Sequence, residues 1–355
     1  MTLEYYRGKS VAITGVCGTV GSELVRQLTQ LDDINIVGMD NGESELFFMR
    51  ERHLANGRCD FTLGDLSDRD SLKRLFREID VVFHTAALKH VGLSERSPQA
   101  AVQCNIIGTQ NVIEAALHCG VGQVNLTSSD KAVNPTNVMG TSKLMGERLM
   151  TGANANRRNG DPMFFCTRFG NVLGSRGSVI PLFQRQIAAG GPVTITDKSM
   201  SRFIMTLAES VGLVMEAPQL ARGGEVFVTK MPVANILDLA LIMIEELAPR
   251  FGYAPKDIEL QHVGPRPGEK LYEELLSQEE SLRAVESGRF IIIEPALQSS
   301  RSNERPAHAR GPCRRVERPY NSSLETQMSR EDLREYLLAH GLLGETPTLE
   351  MAKCA

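Results

Sequence analysis

The feature that most restricts what this chain can become is a rhythm: short β-branched apolar runs alternate with segments of helical spacing through the first half of the sequence. Ser10 to Thr14, Ile34 to Met39, Asp80 to His84 and Gln123 to Thr127 read as strands. Ser22 to Gln30, Ser67 to Arg77 and the long amphipathic stretch Gln99 to Cys119 read as the helices between them. Parallel neighbours need crossovers of about this length, so the pattern predicts an α/β fold, a doubly wound parallel sheet with helices on both faces. No fixed period recurs, which excludes solenoids and propellers. After Phe169 the rhythm changes. Helical runs at Val179 to Ala189 and Val233 to Leu247, with strand-like runs at Pro192 to Thr196 and Glu225 to Val228, predict a smaller C-terminal lobe that completes a cleft.

The expected boundaries follow. Residues 1–172, with a later segment near 206–232, form the first domain, and 173–205 with 233–297 form the smaller lobe. Residues 298–320 are an Arg-rich linker or mobile loop, and 321–355 a helical segment in which Ser329 caps a helix closed by Gly341. A chain of 355 residues with 42% hydrophobic and 23% charged content can bury a core of this size. Its net charge of -4 argues against a nucleic-acid binder. No run approaches the roughly 18 apolar residues of a membrane helix, and the first ten residues carry Glu4, Arg7 and Lys9, so a cytoplasmic protein without membrane partners is expected. The seven cysteines never fall in CxxC spacing and no histidine pair sits at i, i+4, so neither a disulfide framework nor a metal site is expected.

Thr14-Gly15-Val16-Cys17-Gly18-Thr19-Val20-Gly21 closes the first predicted strand and opens the first predicted helix. In that setting the spacing reads as the dinucleotide turn of a Rossmann domain. Gly15 permits the tight turn, Gly18 lets backbone approach a pyrophosphate at the helix N-terminus, and Gly21 lets the helix pack closely, with Thr14, Thr19 and Val20 completing the turn. Asp40 ends the second strand, where a carboxylate can bond an adenosine ribose 2′-hydroxyl and repel a 2′-phosphate, which favours NAD. Arg50 or Arg52 keeps NADP open. Asp65, followed by Leu66, reads either as a contact to the adenine amino group or as a turn carboxylate, and Ala86 follows the strand that ends at His84.

Farther on, Leu126 to Glu147 places a strand ending in hydroxyls, an adjacent acid and amine, and a loop into a helix carrying Lys143. With Ala86-Ala87-Leu88-Lys89-His90-Val91, Ser129-Asp130-Lys131, Asn134-Pro135-Thr136-Asn137, Arg168 to Val179 and Arg266-Pro267-Gly268-Glu269-Lys270, this segment resembles the extended short-chain dehydrogenase/reductases. Within them it resembles the UDP-N-acetylglucosamine 4,6-dehydratases of polysaccharide biosynthesis. The resemblance covers about Lys9 to Leu276. It implies a lyase that makes a UDP-4-keto-6-deoxy-hexosamine for surface polysaccharide or glycan synthesis, with C5 inverted or retained.

The superfamily's acid/base tyrosine, four residues before the helix lysine, is here Met139, matching a branch that carries methionine. A thioether cannot take a proton at neutral pH. The sequence therefore points to Asp130 as the group that receives the O4 proton and later protonates the departing 6-hydroxyl. Lys131, if its pKa is depressed, removes the C5 proton. Ser129 bonds the developing ketone and Lys143 holds the nicotinamide ribose; the alternatives are a strand-end hydroxyl and a solvated lysine. For the nucleotide and sugar the resemblance implies Asn171 and Arg266 first, with Arg168, Arg176, Ser178, Lys89, His90 and Glu269 as further candidates, though Glu269 and Glu273 also read as partners of nearby cations. Self-association is expected through Gln99 to Cys119 and Gly140 to Met150. Two alternatives stand beside this: a nucleotide-sugar 4-epimerase, which needs no paired acid and amine, and a non-catalytic cofactor-binding protein.

Overall fold

The computed structural model describes residues 3–264, 268–297 and 314–344. The chain divides into two compact units: Met1–Phe169 with Ala208–Lys230 and Glu274–Tyr320, and Gly170–Leu207 with Met231–Glu273 and Asn321–Ala355.

The first unit is built on a mostly parallel sheet. Six strands, β1 (Ser10–Thr14), β2 (Asn35–Asp40), β3 (Cys59–Leu63), β4 (Val81–His84), β5 (Gln123–Ser129) and β6 (Met163–Phe169), lie in the order β3-β2-β1-β4-β5-β6. This is the doubly wound parallel sheet that the alternation predicts, in the Rossmann order, which reverses between β1 and β4. Val226–Thr229 continues the sheet parallel to β6, and Phe290–Ile293 then pairs antiparallel with it. Seven helices belong to the crossovers: α1 (Thr19–Leu28), α2 (Glu43–His53), α3 (Arg69–Leu75), α4 (Val91–Arg96), α5 (Pro98–Ala101), α6 (Gly108–Cys119) and α7 (Val138–Ala155). Strands covered on both faces read as unbroken apolar runs, as in Val81-Val82-Phe83 and Met163 to Cys166, where nearly every residue is buried.

Several expectations change. Val81–His84 is the fourth strand, not the third, because edge strand β3 buries only Phe61 and so carries a weak apolar signal. The stretch Gln99 to Cys119 is not one α-helix: a π-helical segment, Val102–Ile107, separates α5 from α6. Val233 to Leu247 opens as strand Val233–Asn235, and Asn235 then caps helix Ile236–Leu247 by accepting from the Leu237 and Asp238 N–H groups. Residues 274–297 do not belong to the smaller lobe but to the first unit, where Ala284–Ser287 and Phe290–Ile293 pair within the main sheet. Most of the Arg-rich stretch, 298–313, lies outside the described residues, but Arg314–Arg315 pairs with Val285 and Glu286 as a short strand rather than a loop.

The second unit has its own core, in which Ile180, Phe183 and Ile187 pack with Leu239, Ile242, Met243, Leu333 and Leu337. Ser201–Met205 pairs with Asn171–Val172 on one side and Val233–Asn235 on the other. Ser329 caps helix Arg330–Ala339 by accepting from the Asp332 N–H. Among the described residues no helix is long and apolar enough to cross a membrane.

One polar cluster is sealed inside the first unit. Arg168, on β6, is fully buried and commits all five donors: Nε and Nη2 to the Glu147 carboxylate at 3.0 and 2.6 Å, Nη1 and Nη2 to Glu280 at 3.0 and 2.9 Å, and Nη1 to the Leu275 carbonyl at 2.9 Å. Burial pushes the Glu280 carboxyl up, but the charge and hydrogen bonds of Arg168 outweigh it and bring the group to about 2. Its stabilising contribution is complete above the ordinary value of 4.5 and is lost as pH falls from there to about 2. Acid unfolding over that window should be steeper for the wild-type chain than for Glu280→Gln. Arg168→Met strands two buried carboxylates and should cost about 3–5 kcal/mol, read from the denaturant midpoint.

Candidate active site

The strand order reverses beside Thr14, and the glycine turn starts there. Gly15 has φ +72°, and a Cβ on it would lie 2.7 Å from the backbone N and Cα of Ala86. A Cβ on Gly21 would strike the Gly15 carbonyl oxygen. Only glycine fits this cradle. Gly18 caps α1 with no side-chain acceptor, which leaves the helix start, Thr19 to Gly21, without a capping group from that residue. Asp40 braces the turn: its Oδ2 accepts from the Cys17 N–H at 2.9 Å and its Oδ1 from Gly42 at 3.0 Å. Asp65 is a turn carboxylate, accepting from the Ser67 N–H and hydroxyl and from Asn41, and the Ser67 hydrogen bonds hold it below the usual carboxylate range. Leu66 is buried, and its carbonyl accepts from Asn111. Arg50 spends a donor on the Phe61 carbonyl.

Behind this turn runs a buried polar chain that the sequence reading missed. The Thr109 hydroxyl donates to the Asn105 carbonyl at 2.7 Å, so toward His84 Nε2, 3.1 Å away, it must accept. Nδ1 of His84 is then an acceptor for the Thr14 hydroxyl at 2.7 Å. Burial and the charge of Lys143 lower the imidazole to about 3, which fits this neutral tautomer. Asn105, in the π segment, bonds both backbone groups of Leu88, at 2.8 and 2.9 Å, and the Ser142 hydroxyl at 2.8 Å. Ser142 in turn donates to the Met139 carbonyl. Asn105 thus clamps the loop after β4 to α7, a setting in which π turns recur. Its signal was available: a polar residue in an otherwise apolar helical stripe, as His84 is at the end of Val-Val-Phe.

Ser129 ends β5, and Asp130 opens a single 3₁₀ turn, Asp130–Ala132. Asp130 is fully buried. Its Oδ1 takes three donors: the Ser129 hydroxyl at 2.6 Å, the Lys131 N–H at 2.9 Å and the Lys131 ammonium at 3.0 Å. Its Oδ2 is buried without a hydrogen-bond partner. The Lys131 side chain keeps 24% exposure. Its ammonium faces the Asp130 carboxylate. The start of α7 closes over this turn, because a Cβ on Gly140 would strike the Lys131 carbonyl, and Asn137 caps the helix at the Gly140 N–H. Met139 is buried, and one turn on, the buried Lys143 ammonium donates to the Thr127 carbonyl at 2.7 Å. Burial lowers the Lys143 pKa.

The remaining candidates are dispersed. Lys89 and His90 are exposed in the loop before α4. In the second unit Asn171 is half-buried in its strand and Arg176 is exposed. Ser178 precedes helix Val179–Ala188 with its hydroxyl oxygen buried and unpartnered. Glu269 and Glu273 stand 3.9 and 3.6 Å from the Arg202 guanidinium, the cation-partner role. Arg266 lies outside the described residues. Arg168 is withdrawn as a diphosphate ligand, since every one of its donors is spent inside the core.

Against known proteins, the family model described as polysaccharide biosynthesis protein matches residues 11–295. A protein of Rickettsia canadensis named UDP-glucose 4-epimerase is 38% identical over 80% of this chain and 82% of its own length. The Campylobacter jejuni protein named UDP-N-acetylglucosamine 4,6-dehydratase (inverting) is 35% identical, covering 82% and 84%. The X-ray structure of Pen from Bacillus thuringiensis superposes with a TM-score of 0.87 at 38% identity, covering 95% of this chain and 99% of that one. Of two longer polysaccharide-biosynthesis relatives, this chain spans 46% of the length. The clamp predicts that Asn105→Ala, which unpairs two backbone groups and a hydroxyl, lowers stability by at least about 2 kcal/mol in a denaturant titration.

Proposed function

This chain belongs to the polysaccharide biosynthesis protein family, whose relatives here include nucleotide-sugar dehydratases and epimerases, and from that premise we propose that it is an NAD-dependent 4,6-dehydratase. Its proposed substrate is UDP-N-acetylglucosamine or a close relative, and its product the UDP-4-keto-6-deoxy-hexosamine. The observation that carries the reading is Asp130: one oxygen loaded with three donors and the other buried without any, beside a lysine. A buried oxygen with unused acceptor capacity is a place to receive a proton and to give it back.

The cradle at Gly15 and Gly21 and the carboxylate at the end of β2 fit a dinucleotide, and a carboxylate at Asp40 favours NAD over NADP. Bound NAD supplies a hydride acceptor that takes the C4 hydrogen and returns it to C6. Asp130 Oδ2 accepts the O4 proton, directly or through water, which replaces the tyrosine that Met139 displaces. With Asp130 neutral, the Lys131 ammonium no longer stands against a carboxylate anion. The partly exposed ammonium then passes a proton to water and takes the C5 proton as a free amine. Asp130 delivers its proton to the departing 6-hydroxyl, which leaves as water, and Lys131 returns a proton to C5 and regains its ammonium proton from water. Ser129, already bonded to Asp130, supplies a hydroxyl near the developing ketone, and Lys143 holds the nicotinamide ribose. Asn171, Arg176, Ser178 and Arg266 remain the proposed groups for the nucleotide end. Exposed Val102, Ile107, Leu117 and Met145 support self-association through the helices that carry them.

The rival reading, 4-epimerisation, is favoured by relatives of that name but leaves the Asp130–Lys131 pair without a task. Incubation with UDP-N-acetylglucosamine and catalytic NAD in deuterated water, followed by NMR, separates the two. A 6-methyl signal with deuterium at C5 is expected, and the same spectrum reads C5 configuration. Inversion at C4 alone makes the chain an epimerase. Asp130→Asn and Lys131→Met should each lower kcat at least about 100-fold while NAD still binds.

A further inference from the structure

Lys143 does not stand alone on its helix. Met139, Lys143 and Glu147 are spaced four residues apart and share one face of α7. Lys143 reaches the Thr127 carbonyl of β5, and Glu147 grips Arg168 of the neighbouring strand β6 through two hydrogen bonds. Arg168 pairs in the sheet with Ser128, between Thr127 and Ser129. The helix is therefore tied to the ends of two adjacent strands at points one turn apart. It needs such ties, because it contains Gly140, Gly146 and Gly152, all poor helix formers. All four charges of the run are buried and alternate in sign: Lys143, Glu147, Arg168, Glu280.

We infer that Glu147 is a positioning residue for Lys143: gripped by Arg168, it fixes the rotation of α7 and supplies a buried negative charge one helical turn from the Lys143 ammonium. The inference rests on the reading in which Lys143 holds NAD. A glutamine at 147 keeps the shape but puts an amide N–H where Arg168 already presents a donor, so the fork loosens and one negative charge disappears. A misplacement on the order of 1 Å at a cofactor-holding group is enough to cost about 100-fold in rate.

The test is a double-mutant cycle on the full chain with Glu147→Gln, Lys143→Met and the pair, reading the NAD Kd by calorimetry, kcat and KM with UDP-N-acetylglucosamine, and the unfolding midpoint without ligand. Expected are an NAD Kd raised at least fivefold and a kcat lowered at least tenfold in Glu147→Gln, with the sugar KM within threefold. The double variant should bind NAD no more weakly than Lys143→Met alone, since Glu147 acts through the lysine. Losses in Kd that multiply in the double variant, or a change confined to the unfolding midpoint, overturn the inference. Should Glu147→Gln not fold, Arg168→Lys, which keeps a cation but not the fork, runs the same cycle with the same expectations. The Kd cycle is read whether or not UDP-N-acetylglucosamine is the substrate, so the two readings fail separately. A wild-type chain that binds no NAD overturns both.

Discussion

A run of buried hydrogen bonds, from Thr14 through His84 and Thr109 to Asn105 and on to Ser142, joins the end of β1 to the first turn of α7. Buried polar groups are costly unless each finds a partner, so a satisfied chain of this kind permits one arrangement and penalises the rest. The glycine turn hangs from one end of it. Helix α7 hangs from the other, and the loop that carries Ala86 is held in the middle by Asn105.

The first unit treats its buried carboxylates in two ways. Glu147 and Glu280 share a guanidinium whose donors are all spent, an arrangement that fixes charge and geometry together. Asp130 is equally buried, yet its donors crowd one oxygen and leave the other bare. Full satisfaction suits a brace, and a buried oxygen left bare keeps acceptor capacity, so the same carboxylate chemistry is fully spent in one cluster of the unit and only partly spent in another.

Some of this was legible before any coordinates. The central strands lie covered on both faces, so Val81-Val82-Phe83 and its neighbours announced a parallel sheet. The glycine spacing at Gly15, Gly18 and Gly21 announced a tight strand-to-helix turn, because backbone sterics at such a turn exclude a side chain. Adjacency in sequence also set Ser129, Asp130 and Lys131 side by side.

What the sequence could not determine are the relations between residues far apart in the chain. Arg168 read as a ligand for an anionic substrate, and only the fold brings Glu147 and Glu280, 21 and 112 residues away, against it. The strand at Phe290–Ile293 read as part of the second lobe because nothing local records that it pairs antiparallel with Val226–Thr229. Edge strand β3 stayed faint because it buries one side chain. The sequence by itself determined local geometry and the chemistry present at each position, since those follow from side-chain size, periodicity and glycine's freedom. Only the tertiary structure decided which of those groups are spent on one another and which are left to react, because burial and long-range pairing are properties of the packed chain.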